Sequence, residues 1–180
     1  MTDDREIMSI YRSGDRDRAF RAIIESYRER LYWHIRRFTC SHEDTDDLLQ
    51  ETFVKIWTGL PDFREDARLF TWIYRIATNE TLNFLRRKKT HGMANAEPLE
   101  NILYRKVDDD PYFNGNQLQR ELHKAIRKLP PRQKAVFNMR YFEEMPYNDM
   151  AEILGVSAGA LKASYHHAYS RIKEELQKIF

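Results

Sequence analysis

Cysteine is almost absent from this 180-residue sequence, because Cys40 is the only one. A single thiol cannot form an intrachain disulfide, and it cannot build a zinc site of several cysteines. We therefore expect Cys40 to be a buried or half-buried packing residue. A glycine-rich phosphate loop is also absent, so the sequence carries no signature of a nucleotide hydrolase.

Long apolar runs are missing as well. No stretch approaches the roughly 20 apolar residues that span a bilayer. Residues 1–20 are acidic and polar where a signal peptide would be apolar. Glycine and proline number only six each, while charged residues make up 32% of the chain. These features predict a cytoplasmic, mostly helical protein without membrane insertion.

The net charge of +2 is distributed unevenly along the chain. Basic and acidic residues number 10 and 13 in residues 1–63, 7 and 3 in 64–89, 2 and 5 in 90–119, and 11 and 7 in 120–180. The successive net charges are therefore −3, +4, −3 and +4. Two basic segments separated by an acidic one predict two contacts with a polyanion.

Apolar residues recur at helical spacing on both sides of a region where periodicity fails. We predict an all-α fold of two small helical domains, residues 1–90 and 118–180, joined by a flexible linker over residues 91–117. About 25 extended linker residues reach roughly 80 Å at about 3.3 Å each. That length exceeds two turns of B-DNA at about 34–36 Å per turn.

The stretch from Leu69 to Lys89 combines an apolar stripe with an unusual second face. At 3.6 residues per turn, one aromatic, two amides and two guanidinium groups share that face: Trp72, Arg75, Asn79, Asn83 and Arg86. Such a set can hold phosphates and can stack on or hydrogen-bond unpaired bases. The alternative is a core helix with a solvated polar face, whose basic C-terminal turn the helix dipole favours.

The preceding helix, predicted over residues 44–58, begins with an acidic and amide surface made of Asp44, Asp46, Asp47, Gln50 and Glu51. Part of this surface reflects the preference of carboxylates for a helix N-terminus. A metal site is a sharper alternative, but no second element offers a histidine or carboxylate at ligand spacing. A surface that docks another protein is the better interpretation, and we expect no metal or other cofactor.

Ala151, Gly155 and Leu161 have the spacing of a helix-turn-helix motif. The small residue lets two helices approach, the glycine permits the turn, and the apolar residue closes the core beneath the second helix. Ser157 can cap that last helix. The motif favours DNA binding, and a helical bundle without a nucleic-acid role is the alternative.

The N-terminal half of the last helix is polar, and its candidate contacts with phosphates and base edges are Lys162, Ser164, His166 and His167. The two adjacent histidines could also be read as metal ligands. Neighbouring residues on a helix point about 100° apart, however, which disfavours a shared metal.

These segments, taken together, resemble a known family. DTDDLLQETFVKIW and TWIYRIATNETLNFLRRKK closely resemble the second conserved region of bacterial sigma factors of the extracytoplasmic-function type. LPPRQKAVFNMRYFEEMPYNDMAEILGVSAGALKASYHHAYSRI resembles their fourth region. The resemblance implies a non-enzymatic initiation factor that binds core RNA polymerase and promoter DNA, has no small-molecule substrate, and is regulated by an anti-sigma factor.

The resemblance also implies roles for individual residues. Docking on the clamp helices of the large polymerase subunit would involve Asp46, Asp47, Gln50, Glu51 and Phe53. Capture of a flipped base of the minus-ten element would involve Phe63, Trp72 and Asn79, with Arg75, Asn83 and Arg86 supporting the strand. Contacts with the minus-thirty-five duplex in the major groove would come from Lys162, Ser164, His166 and His167.

Two other functions fit parts of the sequence. A stand-alone helix-turn-helix regulator would use only the C-terminal domain, and it would leave the acidic helix and Trp72 unexplained. A metal-dependent enzyme would use the carboxylates and histidines, and it would contain stoichiometric metal.

Overall fold

The computed structural model describes residues 3–64, 67–92 and 117–179. Within these ranges the chain forms helices and turns without a β-strand. The helices in chain order are α1 (Asp4–Arg12), α2 (Arg16–Thr39), α3 (His42–Gly59), α4 (Leu69–Gly92), α5 (Gln117–Arg127), α6 (Pro131–Tyr141), α7 (Tyr147–Leu154) and α8 (Ala158–Gln177), and a 3-10 turn covers Leu60–Asp62. None of these helices combines the length and apolarity that crossing a bilayer requires.

The all-α fold with two helical domains is confirmed. Helices α1–α4 form the N-terminal domain and α5–α8 the C-terminal domain. Helix α4 continues to Gly92 and α5 begins at Gln117, so the two helices reach slightly into the predicted linker. The rest of that linker, residues 93–116, lies outside the described residues.

Helix α2 is central to the N-terminal domain, because it packs against α1, α3 and α4. Its inward positions Ile23, Leu31 and Ile35 are fully buried. Asp15 caps its start by accepting a hydrogen bond from the backbone N–H three residues later, at 3.0 Å. At its end Cys40 adopts a left-handed φ of 57° and is 3% exposed, which confirms the expected packing role.

Helices α7 and α8 form the predicted helix-turn-helix motif. Gly155 has a left-handed φ of 66°, which glycine adopts without steric cost, and its N–H donates to the carbonyl of Ala151 at 2.9 Å. Ser157 caps α8 by accepting a hydrogen bond from the N–H of Ala160 at 3.2 Å. Leu161 is 2% exposed beneath α8. Gly155, Ser157 and Leu161 therefore have the roles that the sequence predicts.

The two domains pack directly against each other, an arrangement that the sequence left open. Helix α4 lies against α7, and both α2 and α4 contact α6. Met150 and Ile153 of the C-terminal domain belong to the same apolar core as Leu69. An ion pair of 2.5 Å between Arg68 and Asp149 also joins the domains, and this hydrogen-bonded carboxylate raises the pKa of the Arg68 guanidinium.

Candidate nucleic-acid and protein-docking surfaces

Trp72 lies where the end of α3 meets the first turns of α4. A Cβ added to Gly59 would come within 3.2 Å of the indole Cζ2 atom, so any larger residue at the end of α3 would have to displace the ring by a few tenths of an ångström. The indole also contacts the ring of Phe63, with centroids 4.9 Å apart and an interplanar angle of 47°. Trp72 is therefore held in position by two neighbours while it stays half-buried.

A cavity of about 460 Å³ opens beside this indole. Its size lies within the range of about 300–1,000 Å³ that small-ligand sites occupy. The walls come from the end of α3, the 3-10 turn and the middle of α4, and they are Lys55, Thr58, Gly59, Asp62, Trp72, Ile76, Asn79 and Glu80. The cavity thus offers an aromatic and an aliphatic wall together with an amide, a hydroxyl and charged groups.

Of the three residues predicted to capture a base, Trp72 and Asn79 line this cavity together. Phe63 contacts the indole but lines a different space, a cleft of about 930 Å³ between the two domains. The structure therefore brings two of the three residues into one site and puts the third behind the indole. Glu80 and Lys55 were not predicted, because an acidic and a basic residue on neighbouring helices carry no sequence signal for a shared cavity.

The other residues predicted to contact the DNA strand lie along α4. Residues 75, 79, 83 and 86 follow Trp72 at spacings of three and four, which puts them on one side of the helix. Arg75, Asn79 and Arg86 are exposed and Asn83 is half-buried. The Arg86 guanidinium donates to the Asn83 side-chain carbonyl at 2.6 Å, so these two residues already form one polar unit.

The acidic surface of α3 forms a groove of about 540 Å³. Its rim consists of Asp47, Gln50, Glu51, Val54, Lys55, Glu80 and Arg87. Val54 is 61% exposed, the most exposed of the large apolar side chains in the described part of the chain. Val54 was not predicted, although the sequence carries a signal for it: an apolar residue that falls outside the buried stripe of α3.

Two further residues predicted to dock polymerase already make contacts within the domain. The Oδ2 atom of Asp46 lies 3.4 Å from Nε2 of His42, one turn earlier on α3. Phe53 is half-buried and packs edge-on against Phe20, with centroids 6.4 Å apart, so part of its ring stabilises the domain. Asp44, at the start of the same helix, is paired with Lys88 at 2.7 Å.

The predicted contacts on α8 do not all share one face. Lys162, His166 and His167 are exposed and Ser164 is half-buried. At about 100° per residue, Lys162 and His166 lie about 40° apart, whereas Ser164 is about 160° from His166. Lys162 Nζ also lies 5.8 Å from the ring centre of Tyr147 on α7, which places this cation where the two helices of the motif meet.

Metal-binding geometry is missing from the described parts of both domains. Residues 3–64, 67–92 and 117–179 contain no group of three or more His, Cys, Asp or Glu side chains that could hold a metal ion.

Comparison with known families matches both domains. Residues 23–91 match the family model of Sigma-70 region 2, and residues 119–172 match that of Sigma-70, region 4. The chain is 31% identical over 153 residues to the RNA polymerase sigma factor YlaC of Bacillus subtilis, covering 84% of this chain and 88% of the relative. It is 26% identical over 176 residues to the ECF RNA polymerase sigma factor SigW of the same organism, covering 93% and 94%.

Solved structures share the same fold. CnrH, in complex with the cytosolic domain of CnrY, matches with a TM-score of 0.72 at 23% identity, and the match covers 97% of both chains. The sigma factor RpoE of Bartonella quintana, in complex with the anti-sigma factor NepR, gives a TM-score of 0.66 at 21% identity, covering 88% of this chain and 96% of that one.

Proposed function

This chain belongs to the sigma-70 family as an extracytoplasmic-function sigma factor, and from that membership we propose how its two domains divide the work of promoter-specific transcription initiation. The N-terminal domain, residues 1–90, docks on core RNA polymerase and opens the minus-ten element. The C-terminal domain, residues 118–180, holds the minus-thirty-five duplex. The protein is an initiation factor with no enzymatic activity of its own, and it acts where RNA polymerase acts, in the cytoplasm.

The docking surface on polymerase is the groove on α3. Asp47, Gln50 and Glu51 present acidic and amide groups to solvent, and Asp46 and Phe53 support them from positions partly engaged in the domain. Charged residues at the rim of an interface raise the rate of association and fix the orientation of the partner. The exposed side chain of Val54 supplies the apolar contact that such a rim needs at its centre.

Base capture takes place in the Trp72 cavity. Extruding a base from duplex DNA costs a few kcal/mol, and stacking on an aromatic side chain returns about 1–3 kcal/mol. Trp72 supplies the stacking surface and Asn79 a hydrogen-bonding group. Arg75, Asn83 and Arg86 extend this site along α4, and Phe63 holds the indole from the other side.

Duplex binding belongs to the helix-turn-helix motif. Helix α8 enters the major groove with Lys162 and His166 on one face, and His167 reaches a groove edge or phosphate beside them. Ser164 lies on the opposite side of α8 and makes no contact in this arrangement. The family resemblance and the exposed positions of Lys162, His166 and His167 support this arrangement.

An anti-sigma factor is the proposed regulator. Two proteins with the same fold have been solved with a partner: CnrH with the cytosolic domain of CnrY, and the sigma factor RpoE with the anti-sigma factor NepR. We expect the regulator of this chain to bind the two domains in the packed arrangement, in which the surfaces needed for initiation are held on one compact body.

The observation that carries the proposal is the pairing, on adjacent helices α3 and α4, of an exposed acidic groove with an aromatic cavity. Run-off transcription with core polymerase and a genomic fragment library tests it. The wild-type protein should give discrete transcripts, and Trp72→Ala should lose promoter opening while it still co-elutes with polymerase. A protein that binds promoter duplex tightly without polymerase, and gives no transcripts with it, would instead be a stand-alone regulator.

A further inference from the structure

His34 is fully buried where the two domains meet. Both nitrogens of its ring lie within hydrogen-bonding distance of an oxygen atom: Nδ1 is 2.9 Å from Oε1 of Glu143, and Nε2 is 3.0 Å from the hydroxyl oxygen of Thr78. Glu143 follows α6 in the C-terminal domain, whereas His34 and Thr78 belong to α2 and α4. The ring therefore connects two helices of one domain to a carboxyl group of the other.

The hydroxyl group of Thr78 has one proton, and a second contact already uses it. The hydroxyl oxygen lies 2.6 Å from the backbone carbonyl oxygen of Tyr74, and two oxygens at this distance share a hydrogen bond. Because a carbonyl oxygen only accepts, Thr78 is the donor. Toward His34 the same hydroxyl oxygen can then only accept, so Nε2 of the ring carries a proton.

The contact with Glu143 requires one further proton. A neutral imidazole has a single N–H; since this one is at Nε2, Nδ1 would present a lone pair to Oε1. An ionised carboxylate also presents lone pairs, and two acceptors that face each other repel. The pair avoids this repulsion with an additional proton, either on Nδ1 or on the carboxyl group. Both forms hold one proton more than a neutral histidine beside a carboxylate.

Four titratable neighbours of the pair keep one protonation state between pH 6.5 and 8.5. The guanidinium groups of Arg37 and Arg30 stay charged; Arg37 lies 3.4 Å from the same carboxylate oxygen, and Arg30 lies over the ring of Tyr74. Burial raises the pKa of the Tyr74 phenol, whose ring centre is 5.2 Å from that of the imidazole. Burial also lowers the pKa of His123 to about 4, so this ring is neutral. None of these four groups can account for a proton taken up in this range.

We propose that packing the two domains together takes up one proton at the pair formed by His34 and Glu143, so that the domains separate more readily as the pH rises. In separated domains the ring has no carboxylate beside it, and a histidine without such a partner is mostly neutral above about pH 6.5. The stabilisation of the packed form is therefore fully present below that pH and is lost above it. The ratio of packed to separated protein falls by up to about tenfold per pH unit.

The coupling has a consequence that rests on the proposed function. If separated domains contact the two promoter elements, then core polymerase and promoter DNA compete with the proton for the protein. Formation of the initiation complex is then favoured by a higher pH.

Two measurements on the complete chain, without polymerase or DNA, test the proposal between pH 6.5 and 8.5. Small-angle X-ray scattering reports the separation of the domains as an increase in the radius of gyration. Nuclear magnetic resonance of the ring nitrogens of His34 and the carboxyl carbon of Glu143 reports whether the packed form holds the additional proton. We expect the ratio of packed to separated protein to fall by up to about 100-fold over this range, while any packed protein keeps that proton.

Two variants should remove the pH dependence by different routes. In Glu143→Gln the amide N–H can donate to an unprotonated Nδ1, so packing needs no additional proton. In Thr78→Val the ring no longer has to donate from Nε2, and its one proton can serve the contact with Glu143. Asp149→Asn is the matched control, because it weakens the ion pair with Arg68 that also joins the domains. It should favour separation at every pH and leave the pH dependence intact.

The proposal is wrong if packed protein at pH 8.5 contains a neutral His34 beside an ionised Glu143, or if the wild type is equally extended at both ends of the range. A pH dependence that persists in Glu143→Gln, or that Asp149→Asn abolishes, would also contradict it. Because these measurements use the chain alone, they do not depend on the proposed function. Failure of that function would appear separately, as the absence of transcripts in the run-off assay.

Discussion

Glu143 of the C-terminal domain binds His34, a residue buried in the N-terminal domain. The Oε1 atom of Glu143 lies 2.9 Å from His34 Nδ1, and the opposite ring nitrogen lies 3.0 Å from the hydroxyl of Thr78 on α4. Arg37 approaches the same carboxylate oxygen at 3.4 Å. Burial, together with this carboxylate, also raises the pKa of the neighbouring Tyr74 phenol. One carboxylate thus ties the turn between α6 and α7 to α2 and α4.

Glu143→Gln should loosen the contact between the domains. A compact chain of this length has a radius of gyration of about 16 Å. In such a body the two DNA-contacting surfaces, the Trp72 cavity and α8, are too close together to reach sites about two turns of DNA apart, at about 34–36 Å per turn. To make the proposed contacts with both promoter elements, the domains have to separate. Removing the carboxylate charge weakens its charge-assisted hydrogen bonds by about 1–3 kcal/mol.

Small-angle X-ray scattering of the free protein should show a larger radius of gyration for Glu143→Gln than for the wild type. Glu144→Gln is the matched control, because this neighbouring carboxylate is exposed. An unchanged radius in Glu143→Gln would mean that the apolar contacts alone hold the domains together.

Val54→Asp should weaken binding to core polymerase by about tenfold or more, since it puts a like charge beside Asp47 and Glu51 and removes the apolar centre of the groove. Folding should be preserved, because exposed substitutions usually change stability by less than about 0.5 kcal/mol. Competition with the wild type for core polymerase measures the effect. Ile179→Asp, an exposed apolar residue in the other domain, is the control. Equal competition by both variants would remove Val54 from the interface.

Lys162→Gln should weaken binding to the minus-thirty-five duplex and lower the salt slope of the holoenzyme by about one unit, because one phosphate contact is lost. Titrations at several salt concentrations give the slope. Lys178→Gln serves for comparison, since Lys178 is exposed and paired with Glu175 at 2.7 Å. A slope that Lys162→Gln leaves unaltered would mean that Lys162 contacts no phosphate.

Local patterns in the sequence were sufficient for the helices and the helix-turn-helix turn. Helical spacing alone predicts the burial of positions such as Ile23, Leu31 and Ile35. Residue type predicts the turn at Gly155 and the helix cap at Ser157. These features depend on residues within a few positions of one another, which is why one sequence is enough.

Contacts between the domains could not be predicted in the same way. Met150 and Ile153 fit the inward face of their own motif, and nothing in their spacing says that they also pack against α4. Thr78 is fully buried although it is polar, because its hydroxyl donates to the carbonyl of Tyr74 at 2.6 Å. The place of Glu80 in the Trp72 cavity could not be predicted either, because Lys55, with which it forms an ion pair, is distant in sequence.

Asn138 is fully buried on α6, and neither its amide nitrogen nor its side-chain oxygen has a hydrogen-bond partner among the described residues. Burying an uncompensated amide costs about 1–3 kcal/mol. Asn138→Leu, which keeps the branching pattern, should therefore raise the free energy of unfolding by about 1 kcal/mol. Asn138→Ala should gain less because it leaves a cavity. Urea denaturation measures both, and destabilisation by both variants would show that the amide is satisfied.

His123 on α5 should make the stability of the protein depend on pH. Its ring stacks parallel to Phe142, with centroids 5.7 Å apart, and burial, together with the charges of Arg127 and Arg37, lowers its pKa to about 4. The unfolded chain, with an ordinary histidine pKa of about 6.5, binds more protons than the folded one between these values. Stability is therefore fully present above about pH 6.5 and falls as the pH drops, by up to about 1.4 kcal/mol per pH unit.

His123→Phe should flatten this decline between pH 6.5 and 5, a window above the range in which most carboxylates titrate. Phenylalanine can keep the stacking contact with Phe142 while it removes the titrating ring. Urea denaturation at half-unit pH steps gives the slope, and His167→Phe, at an exposed position on α8, is the matched comparison. If the wild type and His123→Phe lose stability in parallel over this window, then the proton taken up on unfolding binds elsewhere, and burial of His123 does not control the acid sensitivity of the fold.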